Sequence, residues 1–75
     1  MITDSRNSNI LIKINGEAKF TPQNISILEL LELYKINKER VVIELNKTIL
    51  KKEEYGKNHL VENDTVEILT FVGGG

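Results

Sequence analysis

Ile10, Ile12 and Ile14 alternate with Leu11 and Lys13, the period of two that puts one set of side chains on the buried face of a β-strand. Asn15-Gly16 follows as a hairpin signal. A two-residue loop would set Ile12 opposite Lys19 and mix apolar with charged residues on one face. A three-residue loop with Gly16 at a bulge instead pairs Ile12 with Ala18 and Ile10 with Phe20, so the bulged hairpin is the expected register. The second strand then spans Glu17 to Thr21 and stops at Pro22, which has no N–H to give a ladder.

The period next changes from two to that of a helix. Ser26-Ile27-Leu28-Glu29 has the spacing of a capping box, with the Ser26 hydroxyl on the Glu29 amide and the Glu29 carboxylate returning to the Ser26 amide. Ile25 and Leu30 are placed as a hydrophobic staple around it. Ile27, Leu30, Leu31 and Tyr34 fall on one apolar face, and the helix is expected to end near Tyr34 or Lys35. Asn37 to Arg40 is a polar connection. Val41, Val42, Ile43 and Leu45 make a β-branched strand interrupted only by Glu44, which predicts a central position in a sheet. Asn46-Lys47 turns the chain into a short strand, Thr48 to Leu50.

Lys51 to Asn58 is charged and reads as a solvated loop with at most one helical turn. His59 has neither a second histidine nor a cysteine beside it and reads as structural. Glu62-Asn63-Asp64 is a turn that launches a last strand, Thr65 to Phe71. Val66 and Ile68 give that strand a core face. Leu69 and Phe71 fall on the opposite face, where polar residues are expected, and so become candidate partner-binding residues.

Composition narrows the function classes. The chain has 75 residues, enough for a single domain with one modest core. Lys and Arg number 10 against 11 Asp and Glu, and the charges are interspersed, so no basic field exists to recruit nucleic acid. Cysteine is absent, which removes thiolate catalysis, disulfides and the usual zinc ligands together. No apolar run approaches the ~20 residues of a membrane span, and the first residues lack the pattern of a signal peptide. The expected organisation is a loose N-terminal extension over 1–8, a folded domain over 9–71 and a tail over 72–75. That tail, Val72-Gly73-Gly74-Gly75, offers chemistry only through its backbone and the carboxylate of Gly75.

One helix among five strands in so short a chain points to an α+β fold, a mixed five-stranded sheet packed on one main helix, in the manner of the ubiquitin-like β-grasp. Ile14-Asn15-Gly16, Ser26 to Leu31, Val42 to Asn46 with Ile49, Asn63 to Ile68 and Phe71 to Gly75 together resemble the thiamine-biosynthesis sulfur carrier proteins of the ThiS family. The likeness runs from about residue 10 to residue 75. Asn63-Asp64 departs from the more usual Gly-Asp, and the polar extension before Asn9 lies outside the family's core.

The resemblance implies that an E1-like adenylyltransferase of the ThiF type adenylates the Gly75 carboxylate with ATP and Mg²⁺ held on that partner. It implies that a sulfur donor system such as a cysteine desulfurase then yields a C-terminal thiocarboxylate, and that a thiazole synthase of the ThiG type takes the sulfur. On this reading the chain is a carrier without a catalytic residue, metal or bound cofactor of its own, a monomer when free, in the cytoplasm or in an organellar stroma. Three other readings stand beside it, one of them protein modification of ubiquitin type, with Gly75 joined to lysines. The small subunit of molybdopterin synthase shares the fold and tail chemistry, and a β-grasp interaction module would have an inert tail.

Overall fold

The computed structural model describes residues 9–71. The expectations for the N-terminal extension and for Val72, Gly73, Gly74 and Gly75 lie outside the described residues. Within them the chain runs β1 (Asn9–Ile14), β2 (Glu17–Pro22), α1 (Ile27–Leu33), β3 (Val41–Leu45), β4 (Thr48–Leu50) and β5 (Thr65–Thr70), with short 3₁₀ turns at Lys38–Arg40 and Lys52–Glu54. The sheet order is β2-β1-β5-β3-β4. β5 lies parallel to β1 and antiparallel to β3, so the strand that leads to the C-terminus is the central one. This mixed sheet with one helix is the expected β-grasp.

The core follows from the two periodicities. Ile10, Ile12 and Ile14 of β1, Val66 and Ile68 of β5, and Val41 and Ile43 of β3 are buried on one face of the sheet. Ile27, Leu30 and Leu31 of the helix join the same cluster. Full burial of each such side chain stabilises by about 1.5–3 kcal/mol. The helix starts where its sequence dictates. Ser26 Oγ accepts from the Glu29 N–H at 3.0 Å, and the Ser26 N–H donates to Glu29 Oε1 at 2.9 Å, so two otherwise unpaired amides are satisfied. It ends at Tyr34, after which Lys35 takes a left-handed φ of 59° that breaks the helical path. Tyr34 is the C-cap and is partly exposed, at the margin of the apolar stripe assigned to it.

The first hairpin differs from its expected register. Ile12 lies opposite Lys19, and Ile10 opposite Thr21, across a two-residue Asn15-Gly16 loop. Both loop residues have positive φ, 51° and 84°, the arrangement whose twist matches that of the flanking strands. The mixed face that argued against this register is tolerated because β2 is an edge strand. Lys19 lies at the margin of the core, where a long apolar stem can rest on the sheet while the ammonium, 3.5 Å from the Glu17 carboxylate, stays in water. Phe20 goes to the other face and is 71% exposed.

Two further differences concern extent and burial. β5 ends at Thr70 rather than Phe71. Tyr55, inside the charged segment expected to be a solvated loop, is buried in the core, and that segment contains one 3₁₀ turn.

Candidate functional site

Three sets of hydrogen bonds fix the C-terminal strand. At its start, Asn46 of the β3–β4 turn donates through Nδ2 to Asp64 Oδ1 and accepts at Oδ1 from the Thr65 N–H, each at 2.9 Å. The other Asp64 oxygen accepts from the Val61 N–H at 2.9 Å. Asn63 has φ 72°, in the left-handed region that asparagine tolerates better than most residues, so Asn63-Asp64 can make this turn without a glycine.

Midway along β5, Asn15 reaches over from the first hairpin turn. Its Oδ1 accepts from the Ile68 N–H at 2.7 Å and its Nδ2 donates to the Ile68 carbonyl at 3.2 Å. At the far end the Phe71 N–H donates to the Arg40 carbonyl at 3.1 Å. The strand is therefore held up to Phe71, the last described residue.

With Val66 and Ile68 facing the helix, alternation sends Glu67 and Leu69 to the open face of the sheet. Leu69 is 53% exposed and Phe71 48%, so neither packs beneath the segment 51–58. The structure adds two residues that sequence reasoning did not single out. Val42 is the cross-strand partner of Leu69, and Ile49 of β4 stands opposite Glu44 with most of its surface exposed. Both follow from the same period of two, since Val41, Ile43 and Leu45 face inward and leave Val42 and Glu44 outward. The result is an apolar group on the open face, Leu69, Val42 and Phe71, at the end of the strand that leads to Gly75.

On this open face the apolar side chains of Val42, Leu69 and Ile49 lie in register with the carboxylates of Glu44 and Glu67. Among the described residues no three His, Cys, Asp or Glu side chains come together to hold a metal ion. His59 is exposed and pairs through its backbone with Ser26, so it belongs to the start of the helix and not to β5. The carboxyl group of Glu29 is held below its ordinary value, chiefly by the Ser26 N–H and then by the Ser26 hydroxyl. Burial pushes the Tyr55 phenol above its ordinary value. Both shifts arise from groups that build the fold.

The sequence profile of the ThiS family matches residues 8–75. The chain is 36% identical over 66 residues to the sulfur carrier protein ThiS of Bacillus subtilis, covering 87% of this chain and 100% of that one. It is 41% identical over 69 residues to the uncharacterized protein ycf40 of Porphyra purpurea, covering 92% and 97%. A solved structure of the thiamine biosynthesis protein ThiS from Geobacter metallireducens superposes with a TM-score of 0.76 at 30% identity, covering 88% of this chain and all of that one. A 64-residue stretch of the thiazole synthase of Magnetococcus marinus is 33% identical, covering 85% of this chain but 20% of that protein.

Proposed function

The chain belongs to the ThiS family, and from that membership we propose that it carries sulfur for thiazole formation as a thiocarboxylate on Gly75. In the first step an oxygen of the Gly75 carboxylate attacks the α-phosphorus of ATP on an E1-like activating enzyme, and pyrophosphate leaves. In the second, the terminal sulfur of a cysteine persulfide on the donor attacks the carboxyl carbon and AMP leaves; a thiol then attacks the donor sulfur of the resulting acyl disulfide, which leaves C(=O)–S⁻ on Gly75 and a disulfide on the donor. Thiazole synthase then takes the sulfur, and the carboxylate is restored.

The observation that carries this reading is the family match, which continues through the terminal glycines. The geometry supports it. The central strand ends beside an apolar group on the open face, and the glycine tail follows that strand in the sequence, which suits a substrate protein whose end enters the active sites of others. Glycines at 73, 74 and 75 let an extended tail enter a narrow site without a Cβ clash. ATP and Mg²⁺ belong to the activating partner, and this chain contributes no catalytic group.

Thiazole synthase as the acceptor is supported by the Magnetococcus protein of that name, in which a segment like this chain occupies one-fifth of the length. Leu69 and Phe71, with Val42, are assigned to partner docking. No helix among the described residues is long and apolar enough to cross a membrane, and the proposed chemistry places the chain in the cytoplasm or an organellar stroma. Intact mass tests the reading, because exchanging one carboxyl oxygen for sulfur adds about 16 Da.

A further inference from the structure

We propose that Asn15 is a positioning residue for the C-terminal segment, standing in for the strand that β1 no longer supplies and thereby holding Leu69 and Phe71 in the arrangement a partner docks against. The inference rests on the carrier reading and assigns that reading a residue remote in sequence from the tail.

β1 pairs with β5 at Lys13–Thr65 and Ile14–Val66, and the last backbone bond of this ladder runs from the Asn15 N–H to the Val66 carbonyl at 2.9 Å. There β1 turns away into β2. The next pair of groups on that edge of β5 is the N–H and carbonyl of Ile68. The Asn15 side chain takes both, at 2.7 and 3.2 Å, from 53 residues away, in the donor and acceptor pattern that a neighbouring strand would present. Beyond Ile68, among the described residues, the segment has β3 beside it, through Val42–Leu69, Val41–Thr70 and the Phe71–Arg40 bond. Among the described residues Asn15 is thus the last support on the β1 side of β5.

The turn does not need this side chain. A φ of 51° at position 15 asks for a residue that tolerates the left-handed region, and glycine would serve at least as well. Aspartate also tolerates it, but an ionised carboxylate accepts only and would face the Ile68 carbonyl. Asparagine alone combines left-handed tolerance with one donor and one acceptor on a planar group that mimics a peptide. Holding Ile68 keeps β5 extended, and the extended strand puts Leu69 and Phe71 on the open face together.

The test uses Asn15→Gly, which keeps the turn and removes both bonds, and Asn15→Asp, which keeps the bond from the Ile68 N–H and loses the other. In the free protein, Asn15→Gly should speed amide hydrogen exchange at Ile68 and Phe71 by about tenfold relative to the core amides of Ile12 and Ile43. Asn15→Asp should fall between it and wild type. In ATP–pyrophosphate exchange with the activating enzyme, Asn15→Gly should raise the KM for the carrier several-fold and leave kcat near wild type. Adding Thr21→Val, a stabilising change on the far strand, should not restore KM, whereas it would do so if lost global stability were the cause. Unchanged relative exchange at Ile68 and Phe71, or recovery of KM with Thr21→Val, would overturn the proposal. Absence of pyrophosphate exchange with the wild type as well would count against the carrier reading, while hydrogen exchange on the free protein still decides for or against the Asn15 clamp.

Discussion

Glu44 on β3 and Glu67 on β5 stand directly opposite each other on the open face of the sheet, next to the Val42–Leu69 pair. Among the described residues no ion pair neutralises either carboxylate. Like charges in register on adjacent strands repel. Glu67→Lys converts the repulsion into attraction and should stabilise the fold by about 0.2–1 kcal/mol, an advantage that shrinks as salt is raised. Urea unfolding at low and high ionic strength measures it, and an unchanged midpoint at low salt would mean that the two side chains splay apart into water.

Thr21 offers a second gain in stability. It is 1% exposed, on the core face of β2, and among the described residues its hydroxyl has no hydrogen-bond partner. Thr21→Val replaces that hydroxyl with a methyl group of similar shape on a strand that suits β-branched residues. It should stabilise by about 1 kcal/mol, because the cost of an unpaired buried polar group disappears. A lower thermal midpoint for the variant would show that the hydroxyl is satisfied in solution.

The capping box makes stability depend on acid. Hydrogen bonds from the Ser26 N–H, then from its hydroxyl, hold the Glu29 carboxyl below the ordinary 4.5, against a smaller opposing effect of desolvation. The folded state therefore binds this proton less readily than the unfolded chain. Its contribution is fully present above the unfolded value and is lost as pH falls through the folded one. Between about pH 6 and about pH 3 the wild type should lose more stability than Glu29→Gln. Parallel acid-unfolding curves for the two proteins would show that the box does not form in solution.

Much of this fold is legible in the sequence because two periods carry it. Ile10, Ile12 and Ile14, the Ser26–Glu29 box and the Val66–Ile68 face all stand where their spacing puts them. The hairpin register is not legible from pairwise matching of apolar residues, because an edge strand exposes half of itself, so Lys19 and Thr21 lie opposite Ile12 and Ile10 and Phe20 faces water. Tyr55 was hidden by the charged run around it, since one buried side chain in a loop leaves no period. Asn15 was hidden in another way. Asn-Gly is so well explained as a turn that nothing signals a second task for the asparagine side chain, whose partner, Ile68, is distant in sequence.

On the open face, Leu69 and Phe71 are about half exposed and contribute little to the core. Replacing both by alanine should cost less than about 1 kcal/mol of stability while weakening binding to the activating enzyme by about 2 kcal/mol or more, roughly 30-fold in Kd. Calorimetry beside urea unfolding separates the two effects. Wild-type affinity in a folded double variant would place the docking surface elsewhere.

Sulfur carried on Gly75 would be visible directly in the mass of the protein. The chain should be incubated with the activating enzyme, ATP, Mg²⁺ and a cysteine-derived sulfur donor, and its intact mass then measured, with fragmentation to locate any change. A carrier gains about 16 Da confined to the C-terminal glycines, dependent on ATP and absent when Gly75 is deleted. An unchanged mass with an activating enzyme that is active on another member of the family, or a gain located away from residue 75, would contradict the carrier reading.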